Sequence, residues 1–210
     1  MSSSIWQETL SDFVENVASA KPVPGGGAVA AFSACLAGAL FKMLLEIAAK
    51  EGASVNDKLV IVETAIRQLQ NGVADDIKAF ESFMAARRLP KLTEAEKLIR
   101  SEATTKALAL CTEVPLSGVR AALSLVPIAK EMVNLTPDKA ISDFGAALSQ
   151  LDGGLVGLVF TVDINLRGTA SDPAFATLRA ERDQLASQIT SARQALAAAI
   201  TQVAHRIGEP

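Results

Sequence analysis

Few residues in this chain can do chemistry. A single histidine, His205, and two cysteines, Cys35 and Cys111, lack partners at metal-ligand spacing. They give no basis for a histidine-rich metal site, a Ser/His triad or a disulfide framework. Acid–base work then falls to carboxylates, lysines or bound water. Asp76 stands out among the carboxylates. On a helix turning roughly 100° per residue it lies about 60° from Val73, at the edge of an apolar stripe. It sits between Val73 and Phe80 at spacings of three and four. A carboxylate there is costly unless it is paired or lines a cavity. It reads as a general base or cation anchor, or as a structural hydrogen bond to a helix end. Asp75 falls on the opposite, wet side.

Other polar residues interrupt apolar runs. Ser142 and Asp143 follow Pro137 early in a helix, where they serve either a ligand or the first-turn amides. Asp163 and Asn165 sit near that helix's other end, as a buried network or a ligand contact. Lys91, Lys97 and Arg100 cluster around a loop and a first helical turn, either as a solvated surface or as a clamp for an acidic tail. The run Pro24-Gly25-Gly26-Gly27 lacks the Gly-Lys-Ser/Thr ending of a phosphate loop and the GxGxxG spacing of a dinucleotide fingerprint. It leads instead into a helix N-terminus, where orphan N–H groups collect and a flat ligand approaches backbone without side chains in the way. The alternative is a tight interhelical turn.

Helices must position these groups. No stretch alternates with period two, tyrosine is absent, and apolar residues recur at three and four throughout. Ile5, Leu10, Phe13, Val14 and Val17 mark a first helix, with Ser4 as its expected N-cap. A second runs from about Gly27 to Lys50, and its small residues Ala30, Ala31, Ala34 and Gly38 predict a close neighbour. A third covers about Val55 to Arg87. The Thr93-Glu94-Ala95-Glu96 capping box starts a fourth, which Pro115 is expected to bend or interrupt. Pro137 restarts the chain into a helix carrying Gly153, Gly154 and Gly157, expected at tight crossings. Asp172 and Pro173 open the last, through roughly Ile207. The expected fold is all-α: a bundle of about six or seven mostly antiparallel helices in one domain spanning residues 1–210.

Composition narrows the function classes. The net charge is −3 with scattered basic residues, so a nucleic-acid footprint is not expected. The most membrane-like run, Ala28–Phe41, is 14 residues, short of the roughly 18–20 a spanning helix needs. The N-terminus lacks signal-peptide regions. The expectation is a cytoplasmic protein without a membrane partner.

These motifs, taken in order, resemble the cyclodeaminase/cyclohydrolase family. They are the Pro-x-Pro-Gly-Gly-Gly turn with its small-residue helix, "DDIKAFESFMAARRLPKLTEAEKLIR", "VPL", "ISDFGAAL" and "NL". The resemblance runs from about Phe13 into the last helix. It implies an all-helical homodimer with a folate cleft. The implied reaction is hydrolysis of methenyltetrahydrofolate, or ring closure of formiminotetrahydrofolate with loss of ammonia. Neither requires a metal or redox cofactor; a non-catalytic folate-binding relative is the remaining alternative. The implied site comprises Asp76 as base, Asp143 as second anchor, and Pro24, Gly25, Gly26 and Gly27 against the pterin. Lys91, Lys97 or Arg100 would meet the glutamate carboxylates, with Ser142 and Asn165 as further contacts.

Overall fold

The computed structural model describes residues 5–208, and every regular element among them is helical. Six α-helices follow in order: α1 (Leu10–Ala18), α2 (Gly26–Lys50), α3 (Asn56–Arg87), α4 (Glu94–Leu135), α5 (Ile141–Leu166) and α6 (Ala176–Gly208). Short 3₁₀ turns occupy Ile5–Gln7, Asp138–Ala140 and Pro173–Phe175.

Local signals explain most boundaries. The Thr93 hydroxyl accepts the Glu96 N–H, and the Glu96 carboxylate accepts the N–H groups of Thr93 and Leu92. The Asp172 carboxylate accepts the Ala174 N–H, with Pro173 leading into α6. At α1 the expected cap is replaced. Thr9 forms a capping box with Asp12, and Ser4 lies outside the described residues. The expected interruption at Pro115 is also absent. Helix α4 runs unbroken through Pro115 and Pro127, because tertiary packing on a long helix outweighs the loss of one backbone hydrogen bond at each proline.

Helices α2 to α5 run alternately up and down. Ala31 meets Gly72 and Gly38 meets Ile66, so α2 and α3 are antiparallel. Gly118 meets Leu158 across α4 and α5. Helix α5 also lies antiparallel on α2, with Gly157 against Ala30 and Phe144 against Phe41. Helix α6 runs parallel to α4: Arg120 pairs with Glu181, and Arg206 reaches Val133. The small-residue crossing expected from the sequence is present. A Cβ on Gly154 would come within 2.7 Å of the Ala34 nitrogen, and one on Gly157 within 2.7 Å of the Ala30 Cβ. Gly153, by contrast, faces open space.

Phe41, Phe144, Leu44, Leu45, Leu69, Leu116, Leu125 and Leu151 fill the core. Each such side chain contributes roughly 1.5–3 kcal/mol by leaving water. Three helices, α2, α4 and α5, are long and apolar enough to cross a membrane by length and composition. The 14-residue run in the sequence understated this, because α2 continues past Lys42. That lysine is balanced by Glu63 of α3 at 2.9 Å, and the helix goes on to bury Leu44, Leu45 and Ala48 in the bundle.

Candidate functional site

The glycine turn and Asp76 meet. Gly25 is the N-cap of α2 and has no side chain to satisfy the first amides. Asp76 supplies that acceptor from α3. A Cβ on Gly27 would lie 2.3 Å from Asp76 Oδ1 and 2.9 Å from Oδ2. The carboxylate thus occupies the space a side chain would take, which is why position 27 is glycine. Gly25 and Gly26 have no such neighbour. Burial raises the Asp76 carboxyl to about 6, against an opposing hydrogen bond from the Ala28 backbone. At neutral pH it is mostly ionised, yet close enough to its pKa to exchange protons readily.

Asp76 forms part of the lining of a cavity of about 560 Å³. Pro22, Val23 and the three glycines form one wall, and Phe80 continues the α3 side. Pro24 is not among the lining residues; its neighbours Pro22 and Val23 are. Helix α5 contributes Gly157, Phe160, Thr161, Ile164 and Asn165, and α4 contributes Cys111. Phe160 is 67% exposed and Ile164 59% exposed, so the α5 side of the cavity presents apolar surface to solvent. Burial, then the Asp76 charge, pushes the Cys111 thiol up to about 11, so it stays neutral. Asn165 donates through Nδ2 to the Cys111 carbonyl at 2.7 Å. Its neighbour Asp163 instead makes a two-point pair with Arg182 of α6, at 2.7 and 3.0 Å.

A strip of side chains leads away from Asp76 along α3. Phe80, Phe83 and Arg87 follow at spacings of four, three and four, which places them on one face. The Phe80 and Phe83 ring centroids are 6.1 Å apart, and the Arg87 guanidinium sits 5.8 Å from the Phe83 ring. Arg87, Lys91, Lys97 and Arg100 then line a second cavity of about 440 Å³. Asp76 and Arg87 are about 16 Å apart along the helix axis at 1.5 Å per residue. Lys97 is partly neutralised by Glu94 at 2.7 Å.

Ser142 and Asp143 do not join this arrangement. They occupy the first turn of α5, about 33 Å along its axis from Asn165. Asp143 is no partner to Asp76 within this chain, and its first-turn position suits the positive end of the helix dipole. Sequence reasoning missed Phe83, Arg87, Phe160 and Ile164. Arg87 was detectable as the residue eleven past Asp76 on the same helical face. Phe160 and Ile164 gave no signal, since exposed and buried apolar residues look alike in a sequence. Among the described residues, no group of three or more His, Cys, Asp or Glu is placed to hold a metal ion.

A sequence model of the family described as formiminotransferase-cyclodeaminase matches residues 9–185. The chain belongs to this family. Within the formiminotransferase-cyclodeaminase family, it is 35% identical over 178 residues to a methenyltetrahydrofolate cyclohydrolase of Methylorubrum extorquens. That match covers 82% of this chain and 85% of the relative. It is 30% identical over 182 residues to the formimidoyltransferase-cyclodeaminase of Sus scrofa, of which it spans only 34%. The crystal structure of a formiminotetrahydrofolate cyclodeaminase from Thermotoga maritima superposes with a TM-score of 0.79 at 22% identity, covering 95% of this chain and 99% of that one. It shares the all-α bundle fold.

Proposed function

We propose that this chain is a folate one-carbon enzyme that hydrolyses methenyltetrahydrofolate reversibly to formyltetrahydrofolate. The carrying observation is the half-buried Asp76 carboxylate, near pKa 6, held against a side-chain-free helix N-terminus in a largely apolar cavity. The similarity to the Methylorubrum cyclohydrolase over most of both chains supports the same reaction. The pterin would lie against the glycine turn between Phe80 and Phe160. The benzoyl group would follow the Phe80–Phe83 strip, and the glutamate carboxylates would meet Arg87, Lys91, Lys97 and Arg100.

In this reading water adds to the amidinium carbon, and its proton passes to Asp76 as the C–O bond forms. The neutral carbinolamine then opens. One C–N bond breaks, the ring nitrogen takes the proton back from Asp76, and the remaining hydroxyl proton leaves as the formyl C=O forms. No metal or redox group is required for these steps. Loss of such a base typically costs about 10²–10⁴ in rate. Absorbance loss of methenyltetrahydrofolate on adding the protein tests the activity. Wild-type turnover with Asp76→Asn reduced at least a hundredfold is the expected result.

The second reading is formiminotetrahydrofolate cyclodeamination. The mammalian relatives support it, as does the protonated form of Asp76, which is suited to donate to departing ammonia. Ammonia release from the formimino substrate distinguishes it. We further propose a cytoplasmic homodimer without nucleic-acid or membrane partners. Its buried free thiols suit a reducing compartment, and the exposed Leu36 and Met43 on α2 with Val60 and Ile61 on α3 offer an apolar pairing face. Light scattering reads the oligomer directly.

A further inference from the structure

Pro115 lies inside α4 and carries no N–H, so the Cys111 carbonyl four residues earlier loses its helical donor. That carbonyl faces α5, and Asn165 Nδ2 donates to it at 2.7 Å. A carbonyl only accepts, so this bond fixes which way the Asn165 amide points. Its Oδ1 has no donor among the described residues. One helical turn earlier, the Thr161 hydroxyl gives its proton to the Gly157 carbonyl at 3.0 Å, which leaves its oxygen lone pairs open. Both Thr161 and Asn165 line the Asp76 cavity.

We propose that Pro115 and Asn165 form a positioning pair that turns the α5 wall of this cavity into an acceptor surface. Pro115 removes a donor, the bare carbonyl orients Asn165, and Asn165 Oδ1 with Thr161 Oγ1 then reads an N–H-rich heterocycle edge. The chemistry matched is an amino-pyrimidinone edge, which carries adjacent N–H and NH₂ donors, with Phe80 and Phe160 beside its faces. Pro115 is a positioning residue and touches no ligand. The choice of ligand rests on the folate reading above; the orientation of Asn165 does not.

Two measurements test this. First, a double-mutant cycle is read by denaturant unfolding. Asn165→Ala alone strands the Cys111 carbonyl and should lower the folding equilibrium constant about tenfold. In the Pro115→Ala background the carbonyl regains its helical donor, and Asn165→Ala should then cost twofold or less. Additive effects overturn the pairing. Should Pro115→Ala not fold, the Asn165 side-chain amide protons of the wild type decide by NMR, because the bond predicts slow exchange and free-asparagine exchange refutes it. Second, Pro115→Ala should raise KM for methenyltetrahydrofolate about tenfold with kcat within threefold, although the substitution favours the helix. An unchanged KM in an otherwise active enzyme overturns the acceptor wall alone. A wild type that neither binds nor turns over reduced folates overturns the folate reading and the ligand assigned here, while the cycle still decides the pair.

Discussion

Adding one methyl group at Gly27 should disable the site while leaving the bundle standing. The Cβ of Gly27→Ala would lie 2.3 Å from Asp76 Oδ1 and 2.8 Å from its Cγ. Ordinary contact begins near 3.4 Å, so the carboxylate must retreat by about 1 Å. Asp76 is a short side chain at the edge of a cavity, so it can swing outward, and the cost to folding stays within about 1–3 kcal/mol. The cost to catalysis is larger in consequence. A 1 Å misplacement of a reacting group costs on the order of 10²-fold, equivalent to about 2.7 kcal/mol of transition-state stabilisation. The swing also breaks the hydrogen bond from the Ala28 backbone. Methenyltetrahydrofolate turnover is the assay, with thermal unfolding run alongside. The double variant gives the sharper check. With Asp76→Ala already in place the methyl has room, so Gly27→Ala should then reduce residual activity by less than twofold. Full activity in Gly27→Ala, or strictly multiplicative losses in the double variant, would refute the argument that the glycine exists to admit the carboxylate.

Four further outcomes follow from the same structure. The Asp76 carboxyl is raised from 3.8 to about 6, so kcat/KM for hydrolysis should fall as pH drops through about 6, a limb absent in Asp76→Asn. The linkage sign is the reverse of an ordinary paired carboxylate. The folded state holds the proton more tightly, so this group favours folding below about pH 4 and loses that contribution as pH rises through 6. Asp76→Asn should therefore raise stability at pH 8 by on the order of 2–3 kcal/mol while cutting turnover at least about a hundredfold, and an unchanged or lower unfolding temperature counts against burial as the cause. Gly153→Ala should stabilise by about 0.5–1 kcal/mol, because the position is an open helix interior. Gly154→Ala should destabilise measurably, because its Cβ would press on the α2 backbone at Ala34 and Ala30; chemical denaturation ranks the pair. Arg206 donates to the Val133 and Thr136 carbonyls at the end of α4, at 3.0 and 2.9 Å. Arg206→Ala should cost about 1–3 kcal/mol and lower Tm by several degrees, with KM unchanged.

The helices themselves were legible because their determinants are local. The Thr93 capping box, the Asp172-Pro173 start and the three-four spacing of apolar residues each act within a turn or two of chain. The place of Asp76 on its stripe was readable for the same reason. Pro115 misled as a breaker because its local penalty is small beside the contacts α4 makes along its length. The early-helix place of Asp143 was readable too, but its distance from Asp76 within this chain was not, because only the other end of α5, near Asn165, borders the cavity.

By itself, then, the sequence determined a bundle of about six or seven helices, their amphipathic faces and a carboxylate at the edge of an apolar stripe that has to be paired or line a cavity. The tertiary structure decided which glycine that carboxylate faces, which carbonyl Asn165 holds and where the basic cluster falls relative to Asp76. Those pairings depend on the register of α2 on α3 and of α4 on α5. Register is set by close packing between residues tens of positions apart, such as Ala31 on Gly72 and Gly118 under Leu158, and no short window of sequence contains both members of such a pair.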